Sequence, residues 1–321
     1  MDFQLTDDQK ALQGGIREML ARRFGREALR AAVERPGRLD RALWRELGEL
    51  GFFALRLPES RGGVGLGLPE AVLAFEEAGR ALLPGPLVAT HLAAGRIEGA
   101  AEGEKAVAMA DGALAAWLEA ADEVLGDTAG AVPIQSVDPL TPLHRLPGGH
   151  GLPGGHGRAA PDPALAPDPV AVLLTAAEQL GSAARTTETS VQYAKERHQF
   201  GQPIGGFQAV KHLCAQMLVR TELARAAVYA AAVTEDFAEI AGAKLLADEA
   251  AVCNARDCLQ VHGGMGFTWE ADVHLHLKRA WVRGLMGLSA AEAQEIQAQA
   301  LAARAWAGDG DSAGEALASA L

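Results

Sequence analysis

Through the amino-terminal hundred positions, apolar residues recur at three- and four-residue spacing, the period of an amphipathic helix. Leu12, Ile16, Met19 and Leu20 fall on one face of a helix over 9–23, and Thr6 with Gln9 forms a capping box in front of it. A short helix is expected near 26–34. Leu43, Trp44, Leu47 and Leu50 then make one stripe of a helix over 39–50 that Gly51 stops. Pro69 suits a first helical turn and opens the next helix, to about Leu82. The intervening loop carries Gly62, Gly63, Gly65 and Gly67. It lacks the Gly-Lys-Ser/Thr ending of a phosphate cradle and follows no clear strand, so it reads as a structural turn.

From Gly103 the period changes. Short apolar or alternating pieces over 105–110, 113–118, 123–126 and 131–135 are separated by Gly and Asp, as in four small strands. A linker over 144–168 follows, in which Leu146-Pro-Gly-Gly-His-Gly151 is repeated at once as Leu152-Pro-Gly-Gly-His-Gly157. Glycine and proline at this density bury no core, which predicts a mobile surface segment. His150 and His156 have no third ligand fixed nearby, so no metal site is read there. Beyond Pro169 the helical period returns over 169–196, 207–234, 240–261, 271–284 and 290–306, and the 307–321 tail is expected to fray. The whole reads as mainly α. An amino-terminal helical domain (1–100) and a small β segment (101–143) precede the linker, and a carboxy-terminal four-helix bundle with long antiparallel helices (169–306) follows it.

Composition narrows this picture. Hydrophobic residues make up 49% of 321 positions with few aromatics, which favours helix and allows two or three cores. A formal charge of −12 argues against nucleic acid or an anionic membrane as partner. The first residues show no basic or apolar leader pattern and no run is long enough to insert in a membrane, so the expected location is cytoplasmic. The three cysteines, Cys214, Cys253 and Cys258, form no CxxC pair and read as reduced, buried residues.

Two polar turns carry the candidate chemistry. In Arg197-His198-Gln199-Phe200-Gly201, an arginine at a helix end is followed by an amide, an aromatic ring and a glycine. That order suits a ligand bearing phosphate and a ring: a charged fork, a stacking face and close backbone approach. Gly263-Gly264, after another helix, offers backbone N–H groups to a second phosphate. The same residues also fit plain helix punctuation, with Arg197 in an interhelical salt bridge.

Together with Gln208 at the start of the next helix and Gln260-Val-His262 before the glycine pair, these turns resemble the carboxy-terminal domain of acyl-CoA dehydrogenases. The resemblance extends to Leu43–Gly51, to the glycine loop and to Glu76-Glu77-Ala-Gly-Arg80. It implies FAD as cofactor, with Arg197, Gln199, Phe200, Gln208, Gln260, Gly263 and Gly264 on the pyrophosphate and adenosine of a neighbouring subunit's flavin. The resemblance also points to what is missing. The middle β-domain looks truncated, and the registers of the family's catalytic base hold Gly287 and, near the start of the 169–196 helix, Ala171 and Val172. Glu178 and Glu270 are weak alternatives for that base, and Asp272 lies beside the second. The resemblance therefore implies the shortened, non-catalytic subunit of an α2β2 steroid-CoA dehydrogenase. Such a subunit would pair with a full-length chain that takes the acyl-CoA and would pass electrons to an electron-transfer flavoprotein. A self-sufficient homo-oligomer with an unusual base, or a non-enzymatic acyl-CoA-binding scaffold, are the other arrangements the residues allow.

Overall fold

The computed structural model describes residues 4–147 and 167–303. The tandem hexapeptide beyond Pro147, with both its histidines, and the 307–321 tail therefore lie outside the described residues.

Five helices build the amino-terminal part: α1 (Asp7–Arg23), α2 (Arg26–Val33), α3 (Arg41–Glu49), α4 (Leu68–Arg80) and α5 (Leu87–Ala93). The Thr6–Gln9 capping box forms reciprocally at the head of α1, and Asp40 accepts from the N–H groups of Ala42 and Leu43 to start α3. Trp44, Phe52, Phe53 and Phe75 interlock beneath these helices with ring centroids 4.6–5.5 Å apart. Each is buried, a gain of roughly 2–3 kcal/mol per side chain. The helix α5 is not anticipated by the spacing, because Leu-Val-Ala-Thr-His-Leu-Ala is buried along most of its length and shows no polar face.

The glycine-rich loop is a closed turn. The N–H groups of Gly62, Gly63 and Gly65 are spent on the carbonyls of Glu59, Pro58 and Leu57. No donor of this set is free to cradle an anion, in agreement with the sequence reading.

Five short strands follow, β1 (Val107–Asp111), β2 (Leu114–Ala116), β3 (Glu123–Leu125), β4 (Val132–Ile134) and β5 (Leu143–Arg145), in the order β3-β1-β2-β5-β4. Only β1 and β3 run parallel. Four strands were expected, so β5 corrects the boundary at 144. Leu-His-Arg has too few residues to show alternation, and it becomes a strand because β2 and β4 pair with its two edges.

The carboxy-terminal helices are α6 (Pro169–Glu196), α7 (Gln208–Thr234), α8 (Phe237–His262), α9 (Val273–Arg283) and a last helix over 290–303. Glu235, at φ 54, and Asp236 alone join α7 to α8 and reverse the chain. The helices α4 and α6 cross at Gly79 and Gly181. A Cβ at Gly79 would sit 2.5 Å from the Cα of Glu178, and one at Gly181 only 2.8 Å from the backbone nitrogen of Arg80. The Glu76–Arg80 stretch of α4 is thereby structural. Glu76 holds Arg225 and Tyr229 on α7, Glu77 holds Arg17 on α1, and Arg80 grips Glu188 on α6 with both guanidinium nitrogens. No described helix is long and apolar enough to cross a membrane. The cysteines are free, but only Cys258 is fully buried; Cys214 and Cys253 are half-buried, a correction to the sequence reading.

Candidate functional site

Helix α6 begins where Asp168 caps the N–H groups of Val170 and Ala171, and it ends at Arg197, whose backbone turns extended. Strands β6 (His198–Gln199) and β7 (Gln202–Pro203) then form a hairpin with a two-residue tip. Phe200 and Gly201 occupy that tip at φ 52 and 82, the signature of a type I′ turn. Positive φ is unusual for an aromatic residue. Here it leaves the Phe200 ring 92% exposed, touching Phe207 edge-on at 6.1 Å. The Arg197 main chain is fixed by its N–H to the Tyr193 carbonyl and by the Ile204 N–H to its own carbonyl, both 2.8 Å. Its guanidinium makes no hydrogen bond or ion pair with any described residue. The interhelical salt bridge allowed by the sequence is therefore not formed.

Gln208 opens α7, and no side chain caps that helix. The N–H groups of a helix's first turn and its positive dipole end favour an anion. The second turn begins where α8 stops. Gly263 takes φ 59 and ψ −138, a conformation reserved for glycine, and a short 3-10 turn (Gly263–Phe267) follows. A Cβ at Gly263 or Gly264 would meet nothing within 4 Å, whereas one at Gly266 would be 2.8 Å from the Leu259 carbonyl. Space is thus open over the first two glycines, although the Gly263 N–H is spent on the Gln260 carbonyl, and Gln260 is exposed beside them. A helix C-terminus repels anions, so at this corner positive charge must come from Arg197 and the start of α7.

The two turns share one end of the bundle. Tyr193, one turn before Arg197, stacks on His262, immediately before Gly263, with ring centroids 4.1 Å apart. The two residues are distant in sequence, and no spacing rule pairs them. They wall a depression of about 430 Å³ that also takes in Arg185, Glu188 and Glu196. Two carboxylates make that depression a poor phosphate seat.

The candidate positions for a base sit elsewhere. Ala171 and Val172 are core residues, and Gly287 holds φ 70 after α9. Glu178 is buried and bonded to Arg283. Burial pushes its carboxyl above the usual range against the pull of Arg283 and Arg279, and burial likewise lowers Arg283 to about 10. Around this pair, Gln179 donates to the Ala280 carbonyl at 3.0 Å, and the buried Lys244 donates to Asp248 and to the Arg283 carbonyl. Together these groups clamp the end of α9. Arg279 pairs with Asp138 and reaches the carbonyls of Leu83 and Leu140, joining α9 to the β segment. Glu270 is exposed, its backbone carbonyl accepting from Arg26, and Asp272 is bound by Arg26 and Arg30.

An outward-facing arginine, an exposed ring, an uncapped helix start and two uncrowded glycines lie in these two turns. The model of the acyl-CoA dehydrogenase N-terminal domain matches residues 6–104, and that of the C-terminal domain matches 171–306. Acyl-CoA dehydrogenase IpdE2 of Mycobacterium tuberculosis is 38% identical over 296 residues, 85% of this chain and 91% of that protein. The chain belongs to the acyl-CoA dehydrogenase family, and its cofactor is FAD. Among solved structures, a chain of the Tcur3481–Tcur3483 steroid ACAD G363A variant superposes with a TM-score of 0.76 at 24% identity, covering 93% of this chain and 99% of that one. A chain of the ChsE4–ChsE5 complex from Mycobacterium tuberculosis gives 0.75 at 23%, covering 94% and 99%. At these identities the likeness is one of fold.

Proposed function

We propose that this chain is the non-catalytic subunit of a heteromeric acyl-CoA dehydrogenase and completes the FAD site of a full-length partner. The observation that carries the reading is the outward presentation of the Arg197 hairpin and the Gly263-Gly264 turn at one end of the bundle. Residues serving a site enclosed within one chain would be walled by it. These have a charge with no partner among the described residues, an exposed ring and glycines with open space over them. In this reading Arg197 holds the flavin pyrophosphate, Gln199, Gln208 and Gln260 hydrogen-bond around it, Phe200 covers the adenosine, and Gly263 and Gly264 admit the phosphates closely. Bound FAD supplies the hydride acceptor for α,β-dehydrogenation of an acyl-CoA thioester.

The partner contributes the base that takes the α-proton, since Gly287, Ala171 and Val172 have no carboxylate and Glu178 is held by Arg283. The steroid enzyme among the fold neighbours supports a steroid-derived acyl group, and the ChsE4–ChsE5 complex supports an assembly of two unlike chains. Electron-transfer flavoprotein is the acceptor that this chemistry calls for. Co-expression with a full-length acyl-CoA dehydrogenase chain tests the reading. We expect a yellow assembly with one FAD per pair of unlike chains and no activity from this chain alone. A yellow, active homo-oligomer of this chain would refute it.

A further inference from the structure

The Arg197 hairpin and the Gly263-Gly264 turn come from different helices, and a rigid ligand that meets both needs them in fixed register. The contact nearest both is the Tyr193–His262 ring stack, with planes 21° apart. Each residue is tied through the main chain to its own turn. Arg197 hangs its N–H on the Tyr193 carbonyl at 2.8 Å, and His262 is followed directly by Gly263. The His262 ring is itself anchored, its Nδ1 lying 2.8 Å from the Cys258 carbonyl oxygen. A carbonyl only accepts, so Nδ1 donates the proton and the ring is held along α8. Beyond His262 the chain has little support of its own. Gly263 keeps one backbone bond, its N–H to the Gln260 carbonyl, a Cβ on it or on Gly264 would meet nothing, and the next close-packed point is Gly266, against Leu259 and the His262 Cβ.

We propose that the Tyr193–His262 stack is a positioning pair that couples the two turns so that both meet one FAD. This rests on the subunit reading above. The Tyr193 hydroxyl bonds no described residue, so the ring face carries the coupling. Tyr193→Phe preserves it and Tyr193→Leu removes it.

Amide hydrogen exchange in the full chain gives a test that needs no flavin. Exchange over residues 263–267 is expected to accelerate at least tenfold in Tyr193→Leu and to match wild type in Tyr193→Phe. FAD titration of the chain assembled with a full-length acyl-CoA dehydrogenase chain gives the second readout, with affinity about tenfold weaker for Leu and unchanged for Phe. Unaltered exchange in Tyr193→Leu overturns the coupling. So does a Phe variant that behaves like Leu. Faster exchange with undiminished FAD affinity overturns the positioning role. Should Tyr193→Leu fail to fold, His262→Leu takes its place, and a turn whose exchange it leaves unaltered again overturns the coupling. Wild-type assembly that binds no FAD defeats the subunit reading and the flavin half of this proposal, while the exchange result separately decides whether the turns are coupled.

Discussion

Two glycine pairs in this molecule occupy opposite circumstances. At Gly79 and Gly181 two helices approach so closely that any Cβ would collide with the facing backbone. At Gly263 and Gly264 a Cβ would meet empty space. In the first pair the lost side chain is explained by the chain's own packing, as the interlocked backbones of α4 and α6 require. In the second, packing explains nothing beyond the φ of Gly263, and Gly264 needs no special conformation. A glycine with room around it leaves backbone accessible to something that is not part of this chain. The charged groups divide the same way. Glu76, Glu77, Glu178 and Arg283 are committed to partners around the crossing, while Arg197 at the open end pairs with no described residue.

Substitution at the crossing should have the largest effect. Gly181→Val forces a branched side chain into the Glu76 and Arg80 backbone, and we expect a loss of about 3 kcal/mol or more, read by urea unfolding. A smaller loss would mean that the helices can separate, and the contrast would weaken. Arg197→Ala should leave unfolding unchanged. It should weaken FAD retention by the assembled enzyme roughly ten- to a hundredfold, the worth of a charge-assisted phosphate contact. Equal FAD affinities would remove Arg197 from the site.

Acid should strike the closed region. His276, buried against Ser182 on α6, is lowered to about 3 by burial and then by nearby arginines. His91 is lowered to about 4 by burial and then by Arg56. Both folded-state values lie below the ordinary 6.5, so the unfolded chain binds more protons in that window. Stability is therefore full above about pH 6.5 and falls as pH drops, by roughly one kcal/mol per pH unit for each histidine. Unfolding at pH 7 and pH 5 measures the slope, and His276→Gln should flatten it. The smallest expected effect is Gly264→Ala, within about 0.5 kcal/mol of wild-type stability, because the added methyl group meets no atom. A larger loss would show that this turn is packed after all.

The long elements were legible in the chain alone, and so were the motifs of the proposed site. Period, caps and proline placement mark α1 to α4 and α6 to α9, since an amphipathic face must repeat every turn to be buried. The Arg197 and Gly263 motifs are local in the chain, so they are legible as written. The short elements were not. α5 shows no polar face to read, and β5 is a strand only because two neighbours pair with it. Only the tertiary structure decided the fate of Glu178. From its position alone it is a carboxylate on the right helix, but the approach of α9 delivers Arg283 to it and pairs the buried carboxyl with a guanidinium. The same holds for Tyr193 and His262, whose stacking joins residues distant in sequence. Contacts of this kind depend on where whole helices come to rest. That is set by the sum of their packing, and no local spacing encodes it.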